Sequence, residues 1–166
     1  LARLESGRMP LDVEEISVRE VIERAAERLR PQTERARLHL VVDIPVALPR
    51  VAADRSRIEQ VLLNLIHNAI KFTPPGGTIT VSAHSEGSVV RVAVSDTGVG
   101  ISPGELPRIF ERFHKADRAR RSEGSGLGLA IAKHIVQAHR GTIEAASELG
   151  RGTTITFTLP VAADRG

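Results

Sequence analysis

A helical periodicity followed directly by a strand hairpin occurs twice in this chain, and that repetition limits the possible folds more than any other feature. Over 54–72 the apolar residues Ile58, Val61, Leu62, Leu65 and Ala69 share one face at ~100° per residue. Thr73-Pro-Pro-Gly-Gly77 stops this helix. Apolar residues at alternate positions over 78–84 and 89–95 then read as two strands, with Glu86-Gly-Ser88 as the turn. The same signals return as a helix over 127–139 and strands over 142–147 and 153–159, joined by a turn at 148–152. Parallel neighbours need long crossovers, so two hairpins exclude a purely parallel sheet. The expected class is α+β: a two-layer α/β sandwich with a mixed, mostly antiparallel sheet and helices on one face.

Earlier in the chain, Ser17-Val-Arg-Glu20 is a capping-box pattern ahead of Val18, Val21, Ile22, Ala25, Ala26 and Leu29. A helix is expected from there to Leu29 or Glu34, followed by a strand over 38–44 that Pro45 closes. Residues 1–16 read as the end of a helix broken at Gly7 and Pro10 and continued as linker. Residues 17–160 read as one domain and 161–166 as a tail. A short helix is expected over 104–113, and 114–125 is polar and basic without periodicity.

Composition removes whole classes of function. The chain has 166 residues, 41% of them hydrophobic, which is enough for a core, and it has no Cys. That excludes a disulfide framework, cysteine-ligated zinc and thiol nucleophiles. No apolar run approaches the ~20 residues of a membrane span, and no signal-peptide pattern opens the chain. A soluble, cytosol-type domain is expected. A sequence pI near 10.1 suggests nucleic acid, but the net charge is only +3. The chain has no Tyr and only three lysines, Lys71, Lys115 and Lys133, so little titrates between neutrality and the Lys pKa of ~10.4. The high pI therefore reports arginine standing in for lysine. Without Trp or Tyr there is almost no platform for stacking bases, and nucleic acid is not an expected partner.

Three segments carry candidate chemistry. Asn64, Asn68 and Lys71 form a polar stripe on the 54–72 helix, separate from its apolar face. Asn is a poor residue for a helix interior, and this chain has no other Asn. A solvated face explains one such Asn; two on one stripe with a Lys favour a site. Amide oxygens suit a hard cation such as Mg²⁺, and Lys suits phosphate. Next, Asp96-Thr-Gly-Val-Gly100 follows a strand directly: a carboxylate there can accept from an exocyclic amine, and Gly98 and Gly100 would let the backbone approach a flat ligand. A plain turn explains that segment equally well. Last, Gly124-Ser-Gly126-Leu-Gly128-Leu129 opens a helix, where exposed amides attract anions. It matches neither the dinucleotide fingerprint nor the phosphate-loop motif, and a flexible hinge remains an open alternative. Between the glycine clusters runs a basic segment, Arg108 to Arg121, readable as a solvated face or as a lid over phosphates. Phe110 and Phe113 are expected to anchor it to the core.

Taken in order, these segments resemble the catalytic ATP-binding domain of bacterial sensor histidine kinases. The N box is Asn64-Leu-Ile-His-Asn68-Ala-Ile-Lys71-Phe72, the G1 box Asp96–Gly100, the F box Ile109-Phe-Glu-Arg-Phe113 and the G2 box Gly124–Leu129. A G3-like turn, Gly150-Arg-Gly-Thr153, follows. The resemblance covers residues 17–160 and implies the Bergerat-type sandwich of gyrase and Hsp90 ATPase domains, with a mobile ATP lid. It implies that Asp96 binds the adenine amine, with Gly98, Gly100 and Ile101 lining the base. Asn68, helped by Asn64, would hold Mg²⁺, Lys71 would meet phosphate and Phe72 would lie beside the nucleotide. Gly126, Leu127, Gly128 and Leu129 would wrap the phosphates, and Thr153 or Thr154 would reach in from the last strand. Lys115 stands where many members carry an arginine directed at the γ-phosphate, so Asn64, Lys71 and Lys115 are the candidate catalytic residues.

In the gyrase and Hsp90 relatives a water-activating Glu precedes the Mg²⁺-binding Asn by four residues. Asn64 stands there in this chain, and an amide cannot act as a general base at neutral pH. The resemblance thus implies a histidine kinase rather than an efficient ATPase. None of the six His is followed by Asp or Glu, so the family's phosphoacceptor motif is absent from this sequence. Residues 1–16 would be the end of a preceding dimerisation helix plus linker. The implied partners are the histidine-bearing dimerisation domain of the same parent and a response regulator receiver domain; the chain itself would be monomeric, the parent a homodimer. A cytoplasmic location is implied, with any membrane anchor in other segments. A serine-directed anti-sigma-factor kinase and a non-catalytic docking module are the alternatives.

Overall fold

A computed structural model describes residues 10–111 and 128–162. Its elements run β1 (Glu14–Ile16), α1 (Val18–Arg35), β2 (His39–Asp43), β3 (Val51–Ala53), α2 (Arg55–Phe72), β4 (Thr78–Glu86), β5 (Val89–Asp96), a 3₁₀ turn (Leu106–Arg108), α3 (Gly128–Ala138), β6 (Ile143–Glu148) and β7 (Gly152–Pro160). Five strands form one sheet in the order β2-β4-β5-β7-β6. Only β2 and β4 are parallel, and their connection carries α2; the other neighbours are antiparallel. The expected α+β class with a mixed sheet is what the chain forms.

Alternation sets which face of the sheet the helices cover. Ile79, Val81 and Ala83 on β4, Val90, Val92 and Val94 on β5, and Ile155, Phe157 and Leu159 on β7 are all buried. They pack in one core with the apolar stripes of α1 (Val21, Ile22, Ala25), α2 (Ile58, Leu62, Leu65) and α3 (Ala132, Ile135, Val136). The opposite face carries Thr80, Ser82, Ala93, Ser95, Thr154 and Thr156, the small and mostly polar alternates of the same strands.

Helix starts follow their caps. The Ser17 hydroxyl accepts from the Glu20 amide at 3.3 Å, and the Asp54 carboxylate accepts from the Arg57 amide at 3.3 Å. Asp54 also accepts from the Asp12 amide at 2.9 Å and the Ser56 hydroxyl at 3.0 Å. Burial raises the pKa of this carboxyl, but those donors and the charge of Arg57 outweigh burial and hold it below its ordinary 3.8. Because the folded value is the lower one, its stabilising contribution is present above 3.8 and is lost as pH falls through the folded value. The Asp54 amide in turn donates to Nε2 of buried His139 at 3.0 Å, while His139 Nδ1 donates to the Ile135 carbonyl at 2.8 Å. These bonds fix the neutral Nδ1-protonated ring and tie the end of α3 to the start of α2.

The structure corrects two local expectations. Residues 14–16 are not linker: β1 pairs antiparallel with β3, Glu14 opposite Ala53, and Ile16, Val51 and Ala53 are fully buried. Both strands are three residues long, too short for alternation to declare itself. The helix expected over 104–113 is, within the described residues, a single 3₁₀ turn at Leu106–Arg108. The amide bonds here mostly close three residues apart, such as Arg108 to Glu105 at 2.9 Å, which is the tighter 3₁₀ pattern. The first helix ends as expected: α1 runs through Pro31 to Arg35, one residue from Glu34.

Candidate functional site

Four pieces of chain meet at one end of the sheet: the last turns of α2, the loop after β5, the β6–β7 turn and the first residues of α3. Asp96 closes β5, with Ile79 opposite it on β4 and Thr153 opposite it on β7. Residues directly opposite one another share a face, so Asp96 and Thr153 lie on the helix-covered side with buried Ile79. One carboxylate oxygen, Oδ1, accepts from the Gly98 amide at 2.9 Å and from the Thr153 amide at 3.2 Å. The carboxylate is thereby held from its own loop and from the neighbouring strand.

The glycines around it are required by protein backbone. A Cβ on Gly98 would stand 2.3 Å from the Phe72 carbonyl oxygen, which itself accepts from the Val99 amide at 3.0 Å. The loop is thus laid against the last residue of α2. Gly100 has φ +75°, and its Cβ would stand 2.2 Å from the Glu148 carbonyl oxygen; Gly152 has φ +127°, and its Cβ would stand 2.0 Å from the Asp96 carbonyl oxygen. The Gly150 amide donates to the Val99 carbonyl at 2.9 Å. Close approach of backbone, Phe72 at the end of α2 for Gly98 and Glu148 at the end of β6 for Gly100, accounts for both glycines without reference to a flat ligand. Ile101 turns its side chain into the protein and is buried.

Sequence reasoning missed one residue here. Ser147, read only as the end of a strand, accepts from the Ile101 amide at 2.7 Å and bonds the Gly152 carbonyl at 2.9 Å and the Thr153 hydroxyl at 2.8 Å. Serine at a strand end is common, and only the register that sets Ser147 opposite Thr153 reveals it. Thr153 and Thr154 also separate: Thr153 is buried beside Asp96, whereas Thr154 lies on the other face, its hydroxyl 2.8 Å from that of Ser95.

The second half of the site is the polar stripe of α2. Asn64 and Asn68 are both half-buried and one turn apart. Asn64 Nδ2 donates to the carbonyl of Gly128, the first residue of α3, at 3.1 Å. The Asn68 side chain makes no hydrogen bond to another described residue. Lys71 is exposed in the last turn and Phe72 is half-buried behind it. Burial and the neighbouring Lys71 ammonium push the His67 imidazole below its ordinary 6.5. Gly128 is exposed at the start of α3, while Leu129 packs against the core. Phe110 also packs against the core, with Lys133 Nζ 5.9 Å from its ring centroid, in keeping with an anchoring role. Lys115, Gly126, Leu127, Phe113 and the expected lid over 114–125 lie outside the described residues.

Comparison with known proteins places this geometry in a class. The chain belongs to the histidine kinase-, DNA gyrase B- and HSP90-like ATPase family, whose model matches residues 53–163. It is 46% identical over 145 residues to the adaptive-response sensory kinase SasA of Synechococcus elongatus, a match covering 87% of this chain and 36% of that one. Its fold is similar to that of full-length ShkA solved in complex with AMPPNP, with a TM-score of 0.88 and 32% identity over 99% of this chain and 34% of the other. It is also similar to the histidine kinase ThkA in a complex with the response regulator TrrA, with a TM-score of 0.76 and 27% identity over 90% of this chain and 42% of the other. The chain therefore spans little more than a third of SasA and of ShkA.

Proposed function

We propose that this chain binds Mg-ATP and supplies its γ-phosphate to a histidine on a separate dimerisation domain of the same parent, in two-component signalling. The observation that carries the reading is Asp96: a carboxylate at a strand end, oriented by the amides of Gly98 and Thr153 and facing the helix layer. A carboxylate so placed accepts a hydrogen bond from the adenine amine and repels the carbonyl that guanine presents there. Thr153 shares its face and belongs to the base end, whereas Thr154 is turned away from it.

The phosphates would then run toward the α2 stripe and the start of α3, where Lys71 offers a point charge and the first amides of α3 offer donors. Among the described residues no group of three or more His, Cys, Asp or Glu stands together, so a cation here would rest on amide oxygens and on the phosphates. Asn68 fits that role, since its amide is not engaged by another described residue, and Asn64 keeps its Oδ1 while its nitrogen binds Gly128. Bound Mg²⁺ would supply charge neutralisation for the departing ADP. Asn64 stands in place of a general base, so water near the γ-phosphate is not activated by it, and the imidazole of the partner domain is the nucleophile. Gly126, Leu127 and Lys115 would close over the γ-phosphate.

The parent would be a homodimer, and its response regulator would receive the phosphoryl group; the ThkA complex supports that partnership by analogy. Among the described residues no helix is long and apolar enough to cross a membrane. The test is phosphotransfer: this chain, Mg-ATP and a separately prepared dimerisation domain should yield acid-labile phosphohistidine on that domain. Release of inorganic phosphate in place of phosphohistidine would instead make the chain an ATPase.

A further inference from the structure

We propose that Ser147 is a positioning residue for base recognition, holding Asp96 in place through Ile101, Gly152 and Thr153. The inference rests on the nucleotide reading above and assigns a role to a residue that does not itself touch the base. Ser147, Thr153 and Asp96 lie in one row across three adjacent strands, β6, β7 and β5, all on the helix-covered face. A serine hydroxyl has one donor and two acceptor sites, and here all three are used. It donates to the Gly152 carbonyl at 2.9 Å, accepts from the Ile101 amide at 2.7 Å and accepts from the Thr153 hydroxyl at 2.8 Å.

Those three partners are the two sides of the Asp96 clamp. Asp96 Oδ1 is gripped by Gly98, on the loop that ends at Ile101, and by Thr153, on the strand that begins at Gly152. One hydroxyl therefore joins the loop holding one amide to the strand holding the other. With Ser147 replaced by Ala, the Ile101 amide loses its acceptor and the two amides on Oδ1 are free to shift relative to each other. The carboxylate keeps its charge but loses its fixed direction, which weakens discrimination by direction more than binding by charge.

The base is common to ATP and ADP, whereas the γ-phosphate is not, and this separates a base-end effect from any other. Ser147→Ala, titrated calorimetrically, is expected to lose affinity for ATP and for ADP by the same factor, about tenfold for one such hydrogen-bonded unit. The preference for ATP over GTP should narrow, while the ATP-to-ADP ratio and the response to Mg²⁺ stay at the parent's values. The pair Ser147→Thr and Ser147→Val separates hydroxyl from shape: Thr should retain the ATP-over-GTP preference and Val should lose it. An unchanged preference in Ser147→Ala and Ser147→Val, with only melting temperature lowered, overturns the proposal. So does a loss confined to ATP. Hydrogen exchange on the unmodified chain gives a reading that needs no variant. Adding ADP should slow the Gly98, Ile101 and Thr153 amides together, and slowing of Gly98 without Ile101 contradicts the coupling. If the unmodified chain binds neither ATP nor ADP, the nucleotide reading fails along with this one; if it prefers ATP to GTP and Ser147→Val does so equally, only the positioning role fails.

Discussion

At the proposed base end of the site, Asp96 is surrounded by backbone; at the proposed phosphate end, Asn64, Asn68 and Lys71 are side chains standing on a helix. The first region is closed by the Val99–Phe72, Gly150–Val99 and Thr153–Asp96 hydrogen bonds, and three of its glycines have no room for a Cβ. In the second, Asn64 bonds the carbonyl at the start of α3, and the apolar face of α2 packs into the core. On the proposed function, the group that would be read by direction is fixed by main chain, whereas the groups that would follow flexible phosphates are side chains on a helix. Substitutions at the base end should therefore disturb fold and binding together, and those at the phosphate end should disturb binding alone.

The largest effect is expected at Gly152. Gly152→Ala combines a positive φ with a Cβ 2.0 Å from the Asp96 carbonyl oxygen and should cost about 2–4 kcal/mol in urea unfolding. Gly150→Ala, two residues away in the same turn with φ +81° and open space around it, should cost about 1 kcal/mol. Equal costs would mean that the closeness of the two loops is not what constrains this end. Second in size is Asp96→Asn, which turns a charge-assisted hydrogen bond into a neutral one and should weaken ATP by ~1.5–3 kcal/mol in calorimetric titration. Third, Asn68→Ala should abolish the difference between ATP affinity in Mg²⁺ and in EDTA, yet change unfolding free energy by no more than about 0.5 kcal/mol. A large stability loss there would erase the contrast between the ends. The smallest effect is at His67. Its pKa is lowered by burial and by Lys71, so a phosphate seated against Lys71 would offset that charge and raise it. An NMR titration of the His67 imidazole should move upward when ADP is added; an unmoved curve would take the phosphates away from Lys71.

Much of this contrast was legible in the sequence, unevenly. The α2 stripe could be read because a helix repeats every 3.6 residues and because Asn is rare in this chain and costly in a helix. The strands of the main sheet were legible by alternation, and the capping box at Ser17 marked its helix in advance. The base end was legible only in part. Asp96 stood out by its place between a strand and two glycines, but the reason for Gly98 lies at Phe72 and that for Gly100 at Glu148, both far along the chain, which no local pattern encodes. Ser147 and the division between Thr153 and Thr154 depend on strand register, and one residue of register decides which face a side chain takes. The β1–β3 pair escaped for a simpler reason: three residues are too few to show a period, and their pairing spans Glu14 to Ala53.

The claim that the two ends act separately on one ATP is tested most directly by titrating ATP into the unmodified chain and into Asp96→Asn, each with Mg²⁺ and with EDTA. One ATP should bind, Asp96→Asn should weaken it by the same factor in both conditions, and the gain from Mg²⁺ should be identical in the two proteins. An Asp96→Asn chain that binds ATP as tightly as its parent, or one whose Mg²⁺ gain disappears with the carboxylate, would contradict that division.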